Sequence, residues 1–138
     1  MRFCLCLAAL AVSGFAADSL PVHETLHGKL DLHAGKPPIL ATADHKRIML
    51  EGDSTESKVL ADPRVNGFEV QVTGHFAANG HFVIDPSHHH PLLVEQNGHL
   101  KIITYWCDVC SIRSYTPGPC ACCQKETALD LRDADGKD

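Results

Sequence analysis

Residues 67–84 read GFEVQVTGHFAANGHFVI, and this stretch decides the fold that the sequence predicts. Apolar and polar residues alternate through its first half, a period of two that sets one face of a β-strand against a core and the other in water. Asn79-Gly80 then predicts a type I′ hairpin turn, because both central residues of that turn need positive φ and these two residue types tolerate it. The stretch therefore predicts two paired antiparallel strands, over residues 68–76 and 81–84.

Similar signals extend the predicted sheet on both sides of this stretch. Asn97-Gly98 predicts a second hairpin turn of the same type. Residues 54–61 are the one predicted helix, with Ser54 as its N-cap and an aspartate-proline pair at its end. The other predicted strands cover residues 39–43, 47–50, 92–95 and 99–105, and another is marked by Leu26, Leu30 and Leu32.

Three strands, a short helix and then further strands are the order of elements in an OB-fold, a small closed or partly open Greek-key barrel. Over residues 24–104 the chain resembles small exported OB-type domains. The resemblance is carried by three stretches, residues 28–30, 50–53 and 67–74. The predicted fold is all-β: a small antiparallel OB-like barrel with a short helix, followed by a C-terminal cysteine-rich tail that resembles a zinc ribbon. A six-stranded meander or sandwich has the same pattern as the barrel. OB-folds host many functions, so the resemblance assigns none.

The N-terminus has the three parts of a secretory signal peptide over residues 1–17. Arg2 is a short positive region, residues 3–12 are an apolar run, and residues 13–17 supply small residues for cleavage. The apolar run is too short to span a bilayer, so we expect an exported protein, periplasmic or secreted. The mature chain is expected to divide into an OB-like β domain (residues 18–104), a cysteine-rich metal-binding segment (105–131) and a disordered tail (132–138).

Composition and charge limit the classes of function. The chain has 138 residues, enough for one domain with a modest core, and its 44% hydrophobic and 21% charged residues are ordinary for a globular protein. A net charge of −5 gives no electrostatic footprint for nucleic acid, and no basic amphipathic stretch or later apolar run indicates a membrane. No G-x-S-x-G, H-E-x-x-H or P-loop motif is present, so we expect the protein not to be an enzyme. The sequence identifies no protein partner.

Five cysteines near the C-terminus carry the most informative chemistry. Cys107 and Cys110 form one C-x-x-C pair, and Cys120 and Cys123 form a second, with Cys122 inside it. Two residues between ligands let the chain turn tightly so that both sulfurs face one point, and two such turns supply four ligands for a tetrahedral ion. The spacing predicts a metal site, in which Cys122 can replace one of the last pair. Thiolates suit Zn²⁺ or Cu⁺, and four of them with no open position favour structural zinc.

Several residues of this segment also match a known metal-binding motif. The matching residues are Tyr105, Cys107, Pro117, Gly118, Cys120 and Cys123. The segment resembles the short heavy-metal-binding domain of copper-transporting ATPases and of periplasmic adaptors of heavy-metal efflux pumps. In that family an aromatic-x-Cys-x-x-His motif precedes Pro-Gly-x-Cys-x-x-Cys-Gly-Met, whereas here Cys110 replaces the His and Gln124-Lys125 replaces Gly-Met. The resemblance implies metal binding over about residues 105–131, but neither copper specificity nor a role in efflux.

Two other interpretations of the cysteines stay open. An exported protein meets an oxidising compartment, where five cysteines can form two disulfides and leave one thiol. In that case the barrel would be an OB-type ligand-binding domain, and the cysteine tail would only stabilise it through disulfides. The second alternative is a periplasmic thiol-disulfide redox protein, which would carry its C-x-x-C at a helix N-terminus, whereas Cys107 follows a predicted strand.

The chain has ten histidines, and three of them, His88, His89 and His90, are consecutive between two prolines. One interpretation is a second, exchangeable metal site built from imidazole. The other is a polar loop between two strands. The sequence favours the loop, because three consecutive side chains cannot all face one ion without a special backbone conformation.

Overall fold

The computed structural model describes residues 22–86 and 89–136 as a mostly β protein with one short α-helix. The signal-peptide prediction for residues 1–17 lies outside this part of the chain. Within the described part, no helix combines the length and the apolar character needed to cross a membrane. The elements in chain order are β1 (Glu24–Asp31), β2 (Ile39–Ala41), β3 (Arg47–Glu51), α1 (Ser54–Leu60), a 3₁₀ turn (Pro63–Val65), β4 (Glu69–Phe76), β5 (Phe82–Ile84), β6 (Leu92–Gln96), β7 (His99–Cys107), β8 (Ile112–Ser114) and β9 (Ala128–Asp133).

Strands β1 to β5 close into a five-stranded barrel. Their order is β1-β2-β3-β5-β4, and β4 pairs with β1 to complete the ring. Four of the five pairings are antiparallel, but β3 and β5 run parallel, with Leu50 opposite Phe82. The expectation of a wholly antiparallel barrel is therefore wrong at this seam. Parallel neighbours need a crossover connection, and α1 followed by β4 provides it.

Gly74 marks the point where three strands come together. It pairs with Glu24 of β1 on one side and with Ile84 of β5 on the other. A Cβ atom on residue 74 would lie 2.0 Å from the carbonyl oxygen of Val83, so the strands can approach this closely only at a glycine. Nearer its start, the edge of β4 that carries β5 pairs instead with β6. One long strand thus belongs both to the barrel and to a second group of strands.

The barrel interior is filled by large apolar side chains that solvent does not reach. The alternation predicted for β4 is confirmed, because Val70 and Val72 are buried while the intervening residues are partly exposed. Helix α1 contributes Val59 and Leu60 to this interior. Strand β7 adds Tyr105 to the same core, so the barrel and the second group of strands share one hydrophobic interior. The other members are Leu30, Leu40, Leu50, Val65, Phe82, Ile84, Leu92, Val94 and Ile103.

The predicted helix exists, but its cap lies one residue earlier than expected. Asp53, not Ser54, is the N-cap, and its carboxylate accepts hydrogen bonds from the backbone amides of Thr55 and Glu56. A carboxylate satisfies two of the free amides of the first turn and also favours the positive end of the helix dipole. The helix ends at Leu60, just before the predicted stop.

Both predicted hairpins form, but only one uses the expected turn. Asn97 and Gly98 have φ values of 54° and 74°, as a type I′ turn requires. At the other hairpin, among the Asn-Gly pair only Gly80 has positive φ, and its amide donates to the carbonyl oxygen of Ala77 over 3.0 Å. This is a longer loop that ends in a glycine bulge. The type I′ prediction for Asn79-Gly80 is therefore wrong. The longer loop needs a positive φ only at Gly80, so Asn79 keeps an ordinary backbone conformation.

Strands β6 to β9 form the second group, which carries the cysteines. Strand β7 pairs with β6 near its start and with β8 near its end, while β9 pairs with β7 along most of its length. The boundary predicted between residues 104 and 105 therefore falls inside β7. The disordered tail predicted for residues 132–138 also needs correction, because Arg132 and Asp133 belong to β9 and pair with β7. Neither β8 nor β9 was predicted.

Candidate metal centre

The first cysteine pair lies in the hairpin that joins β7 to β8. Cys107 is the last residue of β7 and pairs with Ile112, the first residue of β8. The four residues between them make the turn, in which Cys110 is followed by Ser111 with a left-handed φ of 54°. That reversal folds the turn back, so that the second cysteine returns toward the first.

The second pair lies in a hairpin of the same plan. Pro119 and Glu126 form an isolated antiparallel bridge at its base. The amide of Cys120 donates to the carbonyl oxygen of Lys125 over 2.8 Å, and the amide of Gln124 donates to that of Cys120 over 2.9 Å. Gln124 also has a left-handed φ, of 61°. Each C-x-x-C is thus a tight turn that ends in a left-handed residue.

The two hairpins bring four sulfurs together. The Sγ atoms of Cys107, Cys110, Cys120 and Cys123 all lie within 4.8 Å of one another. The sulfurs of Cys107 and Cys123 are 3.5 Å apart. A tetrahedral ion with metal–sulfur bonds of about 2.3 Å requires sulfurs about 3.8 Å apart, which is within this range. All five described cysteines are free thiols. The four convergent thiols could hold a metal ion.

Burial divides the cysteines into inner and outer members. Cys107 and Cys120, the first of each pair, are only 1% and 3% exposed. Cys110 and Cys123 are partly exposed. Cys122, which the spacing also offered as a ligand, is exposed and lies outside the convergent group. Its thiol contacts that of Cys110 at the rim of the site. The structure thus brings together four of the five predicted ligands.

Backbone amides point at the two inner sulfurs. Hydrogen bonds from the amides of Cys123 and Cys122 lower the pKa of the Cys120 thiol to about 7. A hydrogen bond from the amide of Cys110 likewise lowers the pKa of the Cys107 thiol. Burial and the neighbouring thiols raise that pKa by more, so the net shift of the Cys107 pKa is upward. Amides directed at sulfur stabilise a thiolate, the form that binds metals. Both turns therefore supply favourable polar surroundings for an anionic ligand.

An arginine fastens the second hairpin to the barrel. Arg64, from the 3₁₀ turn, donates from Nη1 to the carbonyl oxygen of Thr127 over 2.8 Å. Its guanidinium pairs with the carboxylate of Asp62 at 2.8 Å and lies 5.1 Å above the ring of Tyr105. Burial raises the pKa of Asp62, but the hydrogen bonds from Arg64 outweigh it and hold that pKa below its ordinary value. The exit of the cysteine hairpin is thereby tied to the barrel core.

A second arginine links strands β7, β8 and β9 of the cysteine-bearing group to one another. Arg113 of β8 donates to the hydroxyl of Thr104 on β7 over 2.7 Å and pairs with the carboxylate of Asp130 on β9. Its guanidinium lies 4.9 Å above the ring of Trp106. Sequence reasoning assigned nothing to Arg64 or Arg113, because their partners are distant in the chain.

The histidine-rich loop is only partly described. His88 lies outside the described residues. The rings of His89 and His90 are 3.9 Å apart, and His90 lies 5.6 Å from the ring of Tyr115. Burial and the neighbouring His89 lower the pKa of His90. These contacts show histidines packed on one another and on a tyrosine.

Comparison with known proteins found no match for this chain. The chain matches no protein-family model, and no curated protein or solved structure matches it. The case for a metal centre therefore rests on the geometry of the four thiols.

Proposed function

We propose that the protein is an exported, non-enzymatic domain of OB type that holds one Zn²⁺ through Cys107, Cys110, Cys120 and Cys123. The observation that carries the proposal is the convergence of these four sulfurs within 4.8 Å. Four thiolates with no open position are typical of structural zinc. Met49 is the only methionine after the predicted signal peptide, so the chain lacks the methionines of a copper carrier.

The need for a metal follows from how little the cysteine hairpins bury. Between residues 108 and 126 the single buried residue is Cys120. Such a segment cannot offset the conformational entropy of ordering its backbone by apolar burial. Structural zinc contributes about 10–16 kcal/mol in small zinc-binding peptides, which would offset a large part of this cost. A bound metal ion would therefore account for much of the order of this segment.

The topology of the barrel supports the OB assignment. The closed five-stranded barrel supports it, and so does the helix between the third and fourth strands, which is where the OB pattern places one. The redox alternative is weaker, because in the described part of the chain neither C-x-x-C precedes a helix. Export rests on the signal-peptide pattern alone.

The test is elemental analysis of the mature protein, purified without an affinity metal, with a thiol count in parallel. We expect one zinc per chain, and five thiols after denaturation in chelator. Cys120→Ser should lose the metal, whereas Cys122→Ser, a matched change in the same turn, should keep it. Protein without metal and with one free thiol would instead show two disulfides. Equal loss of zinc in both variants would assign Cys122 to the site.

A second candidate function is suggested by a cleft on the barrel. Its volume is about 550 Å³, and its lining includes apolar Pro38, Met49 and Leu60 as well as charged Lys36 and Glu51. Small-molecule sites are typically concave and mostly apolar, with a few polar groups. If the barrel is a ligand-binding domain, a small apolar anionic dye should bind there, with fluorescence that Met49→Glu abolishes. Dye binding that the substitution does not change would remove this candidate.

A further inference from the structure

Strand β9 has one backbone edge that pairs with no other strand of the described residues. Its inner edge pairs with β7 from Ala128 to Asp133, and within residues 22–86 and 89–136 this is its only pairing. Just before the strand the outer side is still occupied, because the amide of Thr127 donates to the carbonyl oxygen of Gly118 over 3.4 Å. The outer edge of the strand is therefore open from Leu129 onward.

The pairing with β7 determines which backbone groups of β9 point outward. The amide of Ala134 donates to the carbonyl oxygen of Leu100 over 3.0 Å, which makes these residues a hydrogen-bonded pair of the ladder. Hydrogen-bonded pairs alternate along an antiparallel ladder, so Leu129, Leu131 and Asp133 direct their amides away from β7, and the two leucines direct their carbonyls away as well. An open row of such groups is a template for another strand.

The order of charges in β9 is complementary to that of a second copy of the same strand. In an antiparallel pair about a two-fold axis, the outward-facing Leu131 can lie opposite itself, and Asp130 then lies opposite Arg132 in both directions. Opposite charges across a strand pair are favourable and like charges are unfavourable. The next registers that keep the hydrogen bonds are shifted by two residues, and they place Asp130 opposite Asp130 or Arg132 opposite Arg132. The charges thus select one self-paired register.

The side chains of β9 divide between the two faces of the sheet. Leu129 and Leu131 pack against the hydrophobic core but stay partly exposed at the edge. Alternation along the strand puts Asp130 and Arg132 on the other face. The carboxylate of Asp130 pairs with Arg113 of β8, which holds it at the surface of the sheet. Pairing with a second copy requires only that the charge of Arg132 lie opposite Asp130, and Arg132 can keep its contacts within its own chain.

We propose that the protein forms a two-fold dimer in which β9 of one copy pairs antiparallel with β9 of another, in the register centred on Leu131. The occupant of the edge is a second copy because the charge order of the strand complements itself, which an unrelated partner would not require. Strand pairing of this kind joins the two sheets through main-chain hydrogen bonds and covers the exposed parts of Leu129 and Leu131. Nothing in this dimer depends on what the thiols hold.

The test is sedimentation velocity of the mature protein over a range of concentrations, with a reducing agent so that exposed Cys122 forms no disulfide between chains. A reversible equilibrium between monomer and dimer is expected. Arg132→Glu should weaken dimerisation at least about tenfold, because it places like charges opposite each other at both symmetric contacts. Lys58→Glu makes the same change of charge at an exposed position of α1 and should leave the equilibrium unchanged.

A mixture of two variants tests the register. Asp130→Lys should weaken self-association as Arg132→Glu does, because each variant alone sets like charges opposite each other. When the two variants are mixed, both contacts of the mixed dimer join opposite charges, so the affinity should return to that of the wild type. Circular dichroism of each variant verifies its fold.

Amide hydrogen exchange of the wild-type protein keeps the test decisive if a variant folds poorly. The outward amides of Leu129, Leu131 and Asp133 should gain protection as the concentration rises, whereas the intervening amides, which bond to β7, should be protected throughout. Four outcomes would overturn the proposal: a monomer at every concentration, a dimer that Arg132→Glu leaves unchanged, equal weakening by Lys58→Glu, and a dimer whose outward amides gain no protection.

Discussion

The barrel and the cysteine hairpins are neighbours in one chain, yet their interiors differ in kind. The barrel surrounds large apolar side chains, such as Leu40 and Phe82, that solvent does not reach. The hairpins over residues 108–126 enclose one buried residue, the sulfur-bearing Cys120. Burial of a large apolar side chain contributes about 1.5–3 kcal/mol without any ligand, whereas a thiol cluster contributes mainly when it holds a cation. The two regions should therefore respond to different perturbations.

The two regions meet at a small number of contacts. Tyr105 of β7 lies in the barrel core two residues before the first ligand, Cys107. Arg64 joins the barrel to the residue that leaves the second hairpin, Thr127. These contacts should determine how strongly a change in one region alters the stability or the metal affinity of the other. The following substitutions measure that coupling.

Cys107→Ser should give the largest difference between the two regions, because it should affect the cysteine hairpins and leave the barrel intact. Losing one of four ligands should remove roughly a quarter of a binding free energy of about 10–16 kcal/mol, which weakens zinc binding by a hundredfold or more. Hydrogen exchange should show lost amide protection over residues 108–127, while the strands of the barrel keep theirs. Equal loss of protection in β1 and β4 would mean that the barrel also needs the metal. Cys122→Ser, in the exposed position, is the control.

Phe82→Ala should give the opposite pattern. Phe82 is buried at the parallel seam between β3 and β5, so its removal should cost about 3–5 kcal/mol of unfolding free energy. Zinc content of the folded protein should not change. The control is Phe76→Ala, because its ring packs on Phe82 at 5.2 Å but is 43% exposed, so about 1 kcal/mol is expected. Denaturant titration with a parallel zinc assay measures both quantities.

Arg64→Ala tests the contact between the regions. It removes the partner of Asp62, and we expect a loss of about 2 kcal/mol, below the roughly 3–5 kcal/mol of a fully buried pair, because the arginine side chain is 38% exposed. The weaker anchor of Thr127 should also lower zinc affinity severalfold. Unchanged affinity would show that the hairpins fold independently of this anchor.

The same pair predicts a pH dependence. Because Arg64 holds the pKa of Asp62 below its ordinary value of 3.8, the pair stabilises the fold above about pH 4 and loses this contribution as the pH falls through the lowered pKa. The difference in stability between wild type and Arg64→Ala should therefore shrink from pH 7 to pH 3. Chelator in both samples prevents metal release from contributing. A difference that stays constant with pH would assign the effect to packing on Tyr105.

Sequence reasoning succeeded where the signal was local and failed where it was tertiary. The alternation in β4 and the two C-x-x-C spacings led to the barrel strands and to the four convergent thiols. Strand β9 was missed although Leu129 and Leu131 alternate with polar neighbours, because so short a pattern is defined only by its partner β7. The parallel seam and the exclusion of Cys122 depend on how distant segments meet, which spacing does not encode. The same is true of Arg64, whose partner Thr127 lies 63 residues further along the chain.

The smallest predicted effect concerns the left-handed residue that ends each cysteine turn. Gln124 has a φ of 61°, a conformation that costs a residue with a Cβ about 1–2 kcal/mol, whereas glycine pays only about 0.5–1 kcal/mol in lost chain entropy. Gln124→Gly should therefore stabilise the turn by about 0.5 kcal/mol.

If the hairpin folds around an ion, as we propose, that gain should appear as zinc affinity raised about twofold, with no change in the unfolding of the barrel. Gln124→Ala is the matched comparison, since both variants lose the side-chain hydrogen bond to the carbonyl oxygen of Ala121 but only glycine relieves the backbone. Glycine and alanine variants of equal affinity would mean that the backbone of this turn is already fixed before the metal binds. The division between a barrel that folds by itself and hairpins that need an ion would then be less sharp than their burial indicates.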